Sequence, residues 1–445
     1  MSNSQRVLRS TFIAAILLCA WRATARADVL YTYGFTPRGI GMGGALAAVA
    51  DDFGAAYYNP AGSVFHIQPS VGAGYLYSGS KMTGIGIQAP KLDPTQGALL
   101  GTVLPIPLGG VLKERIAFAM SAFFPNGLLL GIDVPYPTQT QYPLLQNSGR
   151  SQTLIPTLAV KILQGLSIGG GVNIFNNTSG EWKARIDQSG DVQATVTQEM
   201  LTSFALTAGL MFKPGAFWPV VDGLRFGFVF RDKFFTHYKI PVATVVANVP
   251  LIIQFNAISL YTPRQFVGGV SYSFDRWLLS LEVQYNQWSG YPDPSLDVNV
   301  NFKIPVLPIS FRNSITRPPH FHDTTGVKTG AEALALASGD GDLLARFGFA
   351  FDPSPVPPQS GDTNYLDSDR YIGSASVGWK WRGVGAYQFF APLVFDVGGQ
   401  LQYLPPRVSY KDSDVNTDNP GYPKVGFRGW LYAIGASISV PFDYE

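Results

Sequence analysis

The chain has 445 residues, of which 14% are charged, 13% are aromatic and 48 are glycine, and its formal net charge is +2. Four arginines in the first 27 residues account for the positive charge; the remaining 28 basic and 30 acidic residues give no basic surplus of the kind that nucleic-acid-binding proteins carry. The single cysteine, Cys19, excludes a disulfide scaffold, and its removal with an exported leader would also exclude thiol catalysis and cysteine-ligated metals.

Residues 1–27 have the features of a secretory signal peptide. Arg6 and Arg9 supply the charged region, and Thr11 to Ala20 form an apolar core that is too short to span a bilayer. Small residues around Ala25 offer cleavage sites. No later stretch has the roughly 18 uninterrupted apolar residues of a membrane helix. We therefore expect an exported protein, which is periplasmic, secreted or an outer-membrane barrel.

A short stretch rich in glycine and alanine, Gly39–Gly62, follows the leader. Its glycines match the G-x-G-x-x-G pattern of dinucleotide-binding proteins, but no buried strand precedes them, and the acids Asp51 and Asp52 come too early for that fingerprint. A small-residue helix over Met42–Ala50 would suit a crowded interior. Asn59-Pro60 ends any helix, because proline disfavours the helical region for the residue before it.

The strand predicted over Trp277–Trp288 indicates a membrane-facing surface. One face carries aliphatic residues between Trp277 and Tyr285, and the other carries Ser280, Glu282, Gln284 and Asn286. Eight residues at about 3.3 Å each, tilted by about 40°, place Trp277 and Tyr285 roughly 20 Å apart along the membrane normal. Aromatic residues at that separation are typical of the two interfacial girdles of an outer-membrane barrel.

The last strand has the same character. Residues Tyr432 to Phe442 alternate between large apolar side chains and alanine, glycine or serine, and the strand ends in an aromatic residue. A terminal strand of this type resembles the one that barrel-assembly machinery recognises.

Six short turns alternate with seven long connections along the chain. The short turns lie near residues 113–115, 164–165, 213–223, 275–276, 338–342 and 383–387, and the long connections near 81–97, 125–150, 179–197, 240–262, 289–322, 353–369 and 405–426. This alternation predicts an all-β fold, an antiparallel transmembrane β-barrel of about fourteen strands with both ends on the short-turn side. We expect residues 1–27 to be the signal peptide, 28–66 a small plug in the lumen and 67–445 the barrel.

The stretch after the leader resembles the hatch, or plug, of FadL-type outer-membrane transporters. Ala50-Asp51-Asp52 followed by Asn59-Pro60-Ala61-Gly62 carries the resemblance. Pro125 to Leu128 is similar to a Pro-Phe-Gly-Leu segment of the family, and the hairpin Asp275–Ser289 to another. Residues 346–357 with 367–370 match a further family stretch. The family includes long-chain fatty acid transporters and relatives that import aromatic hydrocarbons, and its barrels have fourteen strands.

The resemblance implies a passive mechanism without a cofactor or a metal. An apolar ligand would pass from the outer loops to a pocket in the lumen and leave laterally into the membrane, past the hatch, through a gap at the third strand, here Ile116–Phe124. Asn59, Pro60 and Ala61 would anchor the hatch, and Asp51 and Asp52 would hold it to the wall; the alternative for the two acids is an ordinary solvated turn.

Other residues are candidates for contact with the ligand. Phe123, Phe124 and Leu128 are candidates for the lateral gate or the pocket lining. The resemblance implies basic partners for a ligand carboxylate, and Arg231, Arg312 and Arg317 are the candidates.

Enzymatic and metal-binding functions have little support in the sequence. His320 and His322 would share a face of a strand, but Asp323 is the only further ligand nearby. No serine–histidine signature of a hydrolase stands out. We expect no enzyme and no metal or other cofactor.

Two classes of function remain open at this point. The first is an importer of hydrophobic molecules, either long-chain fatty acids and related apolar compounds or aromatic hydrocarbons. The second is a structural or adhesion barrel whose long loops are the working part. In either case we expect a monomer in the outer membrane of a Gram-negative bacterium, in contact with membrane lipid, inserted by the barrel-assembly machinery, and without a nucleic-acid partner.

Overall fold

The computed structural model describes residues 29–66, 68–88, 92, 94–126, 140–142, 144–145, 152–186, 192–246, 249–291, 296–302, 309–313, 320–360, 363–384, 387–411 and 421–443. Within the strands, only the backbone is described for residues 176–201, 236–260, 296–313 and 384–388. The predicted signal peptide therefore lies outside the described residues and stays a prediction.

Eighteen β-strands are described. They are β1 Ser70–Ile85, β2 Thr95–Pro105, β3 Ile116–Pro125, β4 Gln152–Leu163, β5 Leu166–Ile186, β6 Val192–Phe212, β7 Leu224–Arg231, β8 Phe234–Val246, β9 Val249–Thr262, β10 Arg264–Phe274, β11 Trp277–Gln287, β12 Leu296–Phe302, β13 Ile309–Asn313, β14 Thr324–Ala337, β15 Gly341–Asp352, β16 Arg370–Val384, β17 Tyr387–Tyr410 and β18 Lys424–Pro441.

Fourteen of these strands form a closed antiparallel barrel. The order around the wall is β1, β18, β17, β16, β15, β14, β11, β10, β7, β6, β5, β4, β3, β2. The first and last strands close it in one register, from Ser70 opposite Pro441 to Ile85 opposite Gly426. The fourteen-stranded all-β barrel predicted from the sequence is thus confirmed, with both barrel ends on the short-turn rim.

Three of the predictions of a long loop are wrong. Residues 240–262 and 289–322 contain β9, β12, β13 and the second half of β8, and these four strands form a separate sheet. Residues 179–197 are mostly the extended ends of β5 and β6, which pair as far as Ile186 opposite Val192. In the first region, runs rich in valine and isoleucine on either side of Ala247-Asn248 are typical of a hairpin.

The two faces of β11 are divided as its sequence predicted. Trp277, Leu279, Leu281, Val283 and Tyr285 are exposed on the outer surface of the barrel, and Ser280, Glu282, Gln284 and Asn286 are buried on the inner surface. Successive side chains of a strand point to opposite faces, so one strand presents an apolar surface to lipid and a polar row to the lumen.

The remaining elements are short helices. Three α-helices, Val29–Tyr33, Pro37–Gly41 and Ala55–Tyr58, precede the barrel, and 3₁₀ turns lie at Pro60–Phe65, Gly110–Leu112, Pro214–Ala216, Pro219–Val221 and Trp288–Gly290. None of the helices within the described ranges is long and apolar enough to cross a membrane.

The connection between β15 and β16 buries an acidic residue, Asp367, at 3% exposure. Burial raises the pKa of Asp367 to about 6, although the nearby Arg370 guanidinium opposes the rise. Arg370 also pairs with Asp352, and Arg407 donates hydrogen bonds to the Ser354 hydroxyl at 2.7 Å and to the Asp367 carbonyl at 3.4 Å.

This environment predicts a pH-dependent stability of the connection. Because the pKa of the folded state is raised, the stabilisation is complete below about pH 4 and is lost as the pH rises through about 6. The shift corresponds to roughly 3 kcal/mol at most. Hydrogen exchange of residues 353–369, corrected for intrinsic rates, should show higher protection at pH 5 than at pH 8. Asp367→Asn should remove the difference, whereas the control Asp340→Asn should leave it; an unchanged difference in Asp367→Asn would contradict the assignment.

Candidate functional site

The described N-terminal segment, residues 29–66, crosses the interior of the barrel. Its helix Pro37–Gly41 contacts β15 to β18, whereas the helix Ala55–Tyr58 and the turn Pro60–Phe65 contact β3, β4 and their neighbours on the other side of the wall. Its apolar residues, among them Phe35, Leu46 and Phe53, are buried in one cluster with inward residues of the wall such as Leu99 and Phe123.

Local sequence signals set the path of this segment. The Thr36 hydroxyl accepts a hydrogen bond from the Gly39 amide at 3.0 Å, and Pro37 occupies the first helical position, so the helix Pro37–Gly41 is capped in the usual way. Gly43 and Gly44 then adopt positive φ angles of 64° and 80°, which turn the chain out of the helix.

Asn59 is completely buried and joins three parts of the site. Its side-chain oxygen accepts a hydrogen bond from the Ala61 amide at 3.0 Å. Its side-chain nitrogen donates to the Ala47 carbonyl at 2.6 Å and to the Leu210 carbonyl of β6 at 3.1 Å. Asn59 therefore ties two stretches of the segment to each other and to the barrel wall.

Pro60 and Ala61 lie directly against β5 and β6. The Ala61 carbonyl accepts a hydrogen bond from the Ser167 hydroxyl at 2.7 Å. A Cβ atom at Gly209 would lie 2.1 Å from the Asn59 side-chain oxygen, and one at Gly169 would lie 2.6 Å from the Ala61 nitrogen. Glycine at these two wall positions thus makes the close approach of Asn59-Pro60-Ala61 possible.

Polar side chains of the wall satisfy backbone groups of the irregular stretch 43–50. The Ser374 hydroxyl accepts from the Gly43 amide at 3.1 Å, and the Ser280 hydroxyl donates to the Ala45 carbonyl at 2.7 Å. The Glu282 carboxylate accepts from the Ala47 amide at 2.9 Å while its other oxygen pairs with Lys328 at 3.0 Å. These contacts replace the bonds that a regular helix or sheet would supply.

An arginine on the segment, Arg38, joins it to the wall through carboxylates. Its guanidinium lies 2.6 Å from Asp51 and 3.3 Å from Asp52, both on the segment, and 3.1 Å from Glu332 of β14. Glu332 also pairs with Arg346 at 2.5 Å. The network continues from Arg346 to Asp396 of β17 at 2.6 Å.

The two acids of the Ala-Asp-Asp motif have different surroundings. Asp51 lies 3.6 Å from Arg225 of β7, so it contacts the wall directly, whereas Asp52 caps its own turn by accepting from the Gly54 amide at 2.7 Å. Burial disfavours the charged form of both carboxyls. At Asp51 the Arg38 guanidinium outweighs the effect of burial and holds the pKa of that carboxyl well below its usual range. The pKa of Asp52 is raised by burial and by the adjacent negative charge of Asp51.

A cavity of about 420 Å³ lies between this charge network and the short-turn rim. Its lining includes all seven charged groups of the network: Arg38, Asp51, Asp52, Arg225, Glu332, Arg346 and Asp396. A space of this size could hold a small ligand. Apolar side chains such as Phe53, Leu344 and Val394 share the lining, but burial of the charged groups against an apolar solute is unfavourable.

Arg231, at the end of β7, lies on the other side of the segment. It donates to the Tyr57 and Tyr58 carbonyls at 2.8 and 3.0 Å and to the Gln265 side chain at 3.2 Å. Its Nε is buried and has no hydrogen-bond partner among the described residues. Arg231 also lines two small cavities, of about 30 and 70 Å³, beside Leu30 and Tyr31.

An aromatic cluster covers this side of the lumen. It comprises Tyr142, Leu144, Leu145, Tyr261, Trp288, Phe321, Val356, Tyr365, Leu366, Leu404, Val425, Phe427 and Leu431, with Tyr31 and Tyr33 packed against it. The two cavities beneath the cluster are far below the roughly 300 Å³ of small-molecule pockets. Leu30 and Tyr31 line both cavities.

The other candidate contact residues fall in different places. Phe123 is 1% exposed and faces the lumen, but Phe124 is 38% exposed on the outer surface, because neighbours in a strand alternate. The expectation that Phe124 lines an interior pocket is thereby corrected. Leu128 and Arg317 lie outside the described residues, and Arg312 lies in β13, where only the backbone is described.

Several residues of the site, Arg38, Glu332 and Arg346, belong to none of the candidate sites predicted from the sequence. Arg346 precedes Phe347, Phe349 and Phe351 in an alternating strand, so its inward position follows from the pattern. His320 and His322 are exposed, and among the described residues no three His, Cys, Asp or Glu side chains converge.

Removal of the Asn59 side chain should loosen the segment without unfolding the barrel. Asn59→Ala removes the side-chain donor to the Ala47 and Leu210 carbonyls and the acceptor of the Ala61 amide, at a cost of about 1–3 kcal/mol. Limited proteolysis of residues 29–66 should become faster while the heat-modifiable barrel band on gels is retained. Ser63→Ala, which removes a buried bond within the turn only, is the control; equal proteolysis of Asn59→Ala and Ser63→Ala would contradict the anchoring role.

Comparison with known proteins identifies the family. The model of the family described as "Outer membrane protein transport protein (OMPP1/FadL/TodX)" matches residues 16–398. Alkane uptake protein A of Marinobacter nauticus is 21% identical over 438 residues, covering 92% of this chain and 90% of that protein.

Solved structures share the fold. A FadL homologue of Pseudomonas aeruginosa has a TM-score of 0.59 at 15% identity, covering 95% of this chain and 100% of that chain. The toluene transporters TbuX of Ralstonia pickettii and TodX of Pseudomonas putida have TM-scores of 0.54 and 0.53 at 15% and 14% identity, covering 92% and 93% of this chain and 99% and 100% of theirs.

The family match covers most of the chain and agrees with the barrel described above. The match confirms that the protein is located in the outer membrane of a Gram-negative bacterium. It also confirms that the protein is a transport channel and not an enzyme. The chain belongs to the OMPP1/FadL/TodX family of outer-membrane transport proteins.

Proposed function

We propose that the chain, as a transporter of hydrophobic compounds, imports long-chain fatty acids or related apolar compounds by passive diffusion. The solute would collect at the aromatic cluster of the long connections, displace Leu30–Tyr33 and occupy the space beside Arg231. The names of the relatives, an alkane uptake protein, a FadL homologue and toluene transporters, support this substrate class.

The exit from that space would be lateral, into the membrane. Straight passage would lead through the charged cavity, where burial against four carboxylates and three guanidinium groups is unfavourable for an apolar molecule. A lateral route keeps the solute in apolar surroundings and avoids the cost of transfer into water. The segment 29–66 would act as the plug that directs the solute to the wall.

The pairing of residues between neighbouring barrel strands supports a lateral exit between β4 and β5. The third strand, β3, pairs without interruption from Ala117 to Phe123 with β2 and β4. Between β4 and β5 the pairs Leu154–Ile174 and Thr157–Gly171 are formed, but Ile155 and Pro156 form none with that neighbour. Proline cannot donate to a ladder, so this part of the wall has fewer hydrogen bonds to break. Ile155 and Asn173 also line the smaller cavity.

The single observation that favours a carboxylate ligand is the Nε donor of Arg231, which is buried and has no partner among the described residues. A fatty acid carboxylate could accept from it, whereas a hydrocarbon could not. An aromatic-hydrocarbon channel is the second candidate, because the aromatic cluster alone would receive such solutes.

Uptake of labelled oleate, toluene and a medium-chain alkane in a Gram-negative host lacking its own transporter tests the substrate class. Arg231→Gln should lower oleate uptake about tenfold or more relative to toluene and alkane uptake, the value of one charged hydrogen bond. Loss of its bonds to the Tyr57 and Tyr58 carbonyls should change the uptake of all three solutes alike. The control is Arg264→Gln, which alters a half-exposed arginine paired with Asp232. An unchanged ratio of oleate to toluene uptake in Arg231→Gln would contradict the carboxylate role, and uptake of none of the three would contradict this substrate class.

Disulfide locks test the exit. Leu154 and Ile174 are directly opposite across β4 and β5, as are Leu100 and Ala122 across β2 and β3, and opposite strand residues are close enough to be bridged. In a Cys19→Ser background, oxidation of Leu154→Cys/Ile174→Cys should slow uptake reversibly, and oxidation of Leu100→Cys/Ala122→Cys should not. Slowing by the lock between β2 and β3 alone would indicate an exit at the third strand instead. If neither lock slows uptake, lateral exit is contradicted.

A further inference from the structure

Two extended turns on the short-turn rim expose large apolar side chains. Residues 106–115 join β2 to β3, and residues 213–223 join β6 to β7. Val111 and Val220 are 80% and 92% exposed, and Trp218 is 58% exposed. We define the basal patch as the exposed side chains of these turns and of the adjoining end of β4: Leu108, Val111, Leu112, Ile162, Leu163, Phe217, Trp218 and Val220.

The members of the basal patch form one surface. The Lys161 amide at the end of β4 donates to the Arg115 carbonyl of the first turn at 2.8 Å, and the Lys213 amide of the second turn donates to the Gly165 carbonyl at 2.6 Å. The two turns are thus joined through the end of β4 and the tight turn between β4 and β5.

The patch is continuous with the lipid-facing wall. The rings of Phe212 and Phe226 stack at 6.5 Å, Phe217 lies 6.0 Å from Phe212, and Trp218 lies 6.0 Å from Phe217. Phe226 is exposed on the outer face of β7. The apolar surface therefore extends from the barrel wall onto the turns without a polar break along this line.

The charges of the patch lie in its two turns. Lys113 and Arg115 flank Glu114 in the first turn, and Asp222 lies near the end of the second. The Lys161 and Lys213 ammonium groups lie over the Phe65 ring of the N-terminal segment, so they point to the lumen and not to the patch. The far side of the rim is different, because the turn between β14 and β15 exposes Ser338, Gly339 and Asp340.

We propose that the basal patch is inserted in the headgroup region of the periplasmic leaflet and is covered by membrane lipid. Short turns of outer-membrane barrels face the periplasm, so this rim lies at that leaflet. A tryptophan beside aliphatic side chains, continuous with the lipid-facing wall, matches the interface, where indole rings sit at headgroup level. The patch anchors the β3–β7 sector of the barrel more deeply than the polar sector opposite.

A single labelled cysteine tests the proposal. In the full chain with Cys19→Ser, Val220→Cys carries a polarity-sensitive dye, and the protein is reconstituted in vesicles of phosphatidylethanolamine and phosphatidylglycerol. Gly339→Cys on the polar turn is the matched control, and Val111→Cys is the second patch position if Val220→Cys fails to fold. The dye at position 220 or 111 should have its emission maximum at a shorter wavelength than the dye at position 339. Brominated lipids should quench its fluorescence severalfold more strongly.

Two results would overturn the proposal. Emission and quenching at 220 and 111 equal to those at 339 would mean that the patch lies in water. Exposure of both positions in vesicles, combined with protection from a water-soluble thiol reagent in native outer membranes, would mean that a protein covers the patch instead of lipid.

Discussion

The constraint on which the structure depends is the hydrogen bonding of an irregular segment inside a membrane barrel. Backbone groups at membrane depth need partners, and residues 43–50 belong to no β-ladder. Turns within the segment bond some of their amides, such as those of Gly44, Ala45 and Val49, and other backbone groups depend on side chains. Ser280, Ser374 and Glu282 provide these partners from the inner face of the wall, and Asn59 provides one from the segment itself. The polar side chains on the inner face of these strands therefore bind the segment, while the apolar side chains on the outer face are directed to lipid.

The same arrangement gives the lumen two different ends. Towards the short turns, Arg38 and its carboxylates line a charged cavity; towards the long connections, aromatic side chains and Arg231 surround small cavities beside Leu30 and Tyr31. An apolar solute meets favourable surroundings at one end only. The charge network thus serves the proposed transport in two ways: it fixes the segment, and it makes axial passage unfavourable. The gap in pairing at Pro156 lies beside the apolar end, where a diverted solute would reach the wall.

The sequence alone predicted the barrel well, because alternation and turn spacing follow directly from the geometry of strands that face lipid. The outward and inward faces of β11 could be assigned residue by residue. Two regions predicted to be long loops form a second sheet instead. The site was less predictable. Asn59 follows from its motif, but its partner Leu210 is 151 residues away, and Glu282 and Glu332, the partners of Ala47 and Arg38, are 235 and 294 residues away; their proximity depends on strand register. Strand alternation allows only one of the neighbours Phe123 and Phe124 to face the lumen, and the structure shows that it is Phe123.

Residue-resolved hydrogen exchange of the Ala47 amide, which donates to the Glu282 carboxylate, tests whether wall side chains hold the segment by its backbone. We predict that this amide exchanges about as slowly as the amides of the strands. Glu282→Ala should release the Ala47 amide with protection of the barrel unchanged, whereas Ser374→Ala should leave the Gly43 amide protected, because that amide also donates to the Ile40 carbonyl at 3.0 Å. Rapid exchange of the Ala47 amide in the unaltered protein, or its full protection in Glu282→Ala, would show that the wall does not hold the segment in this way.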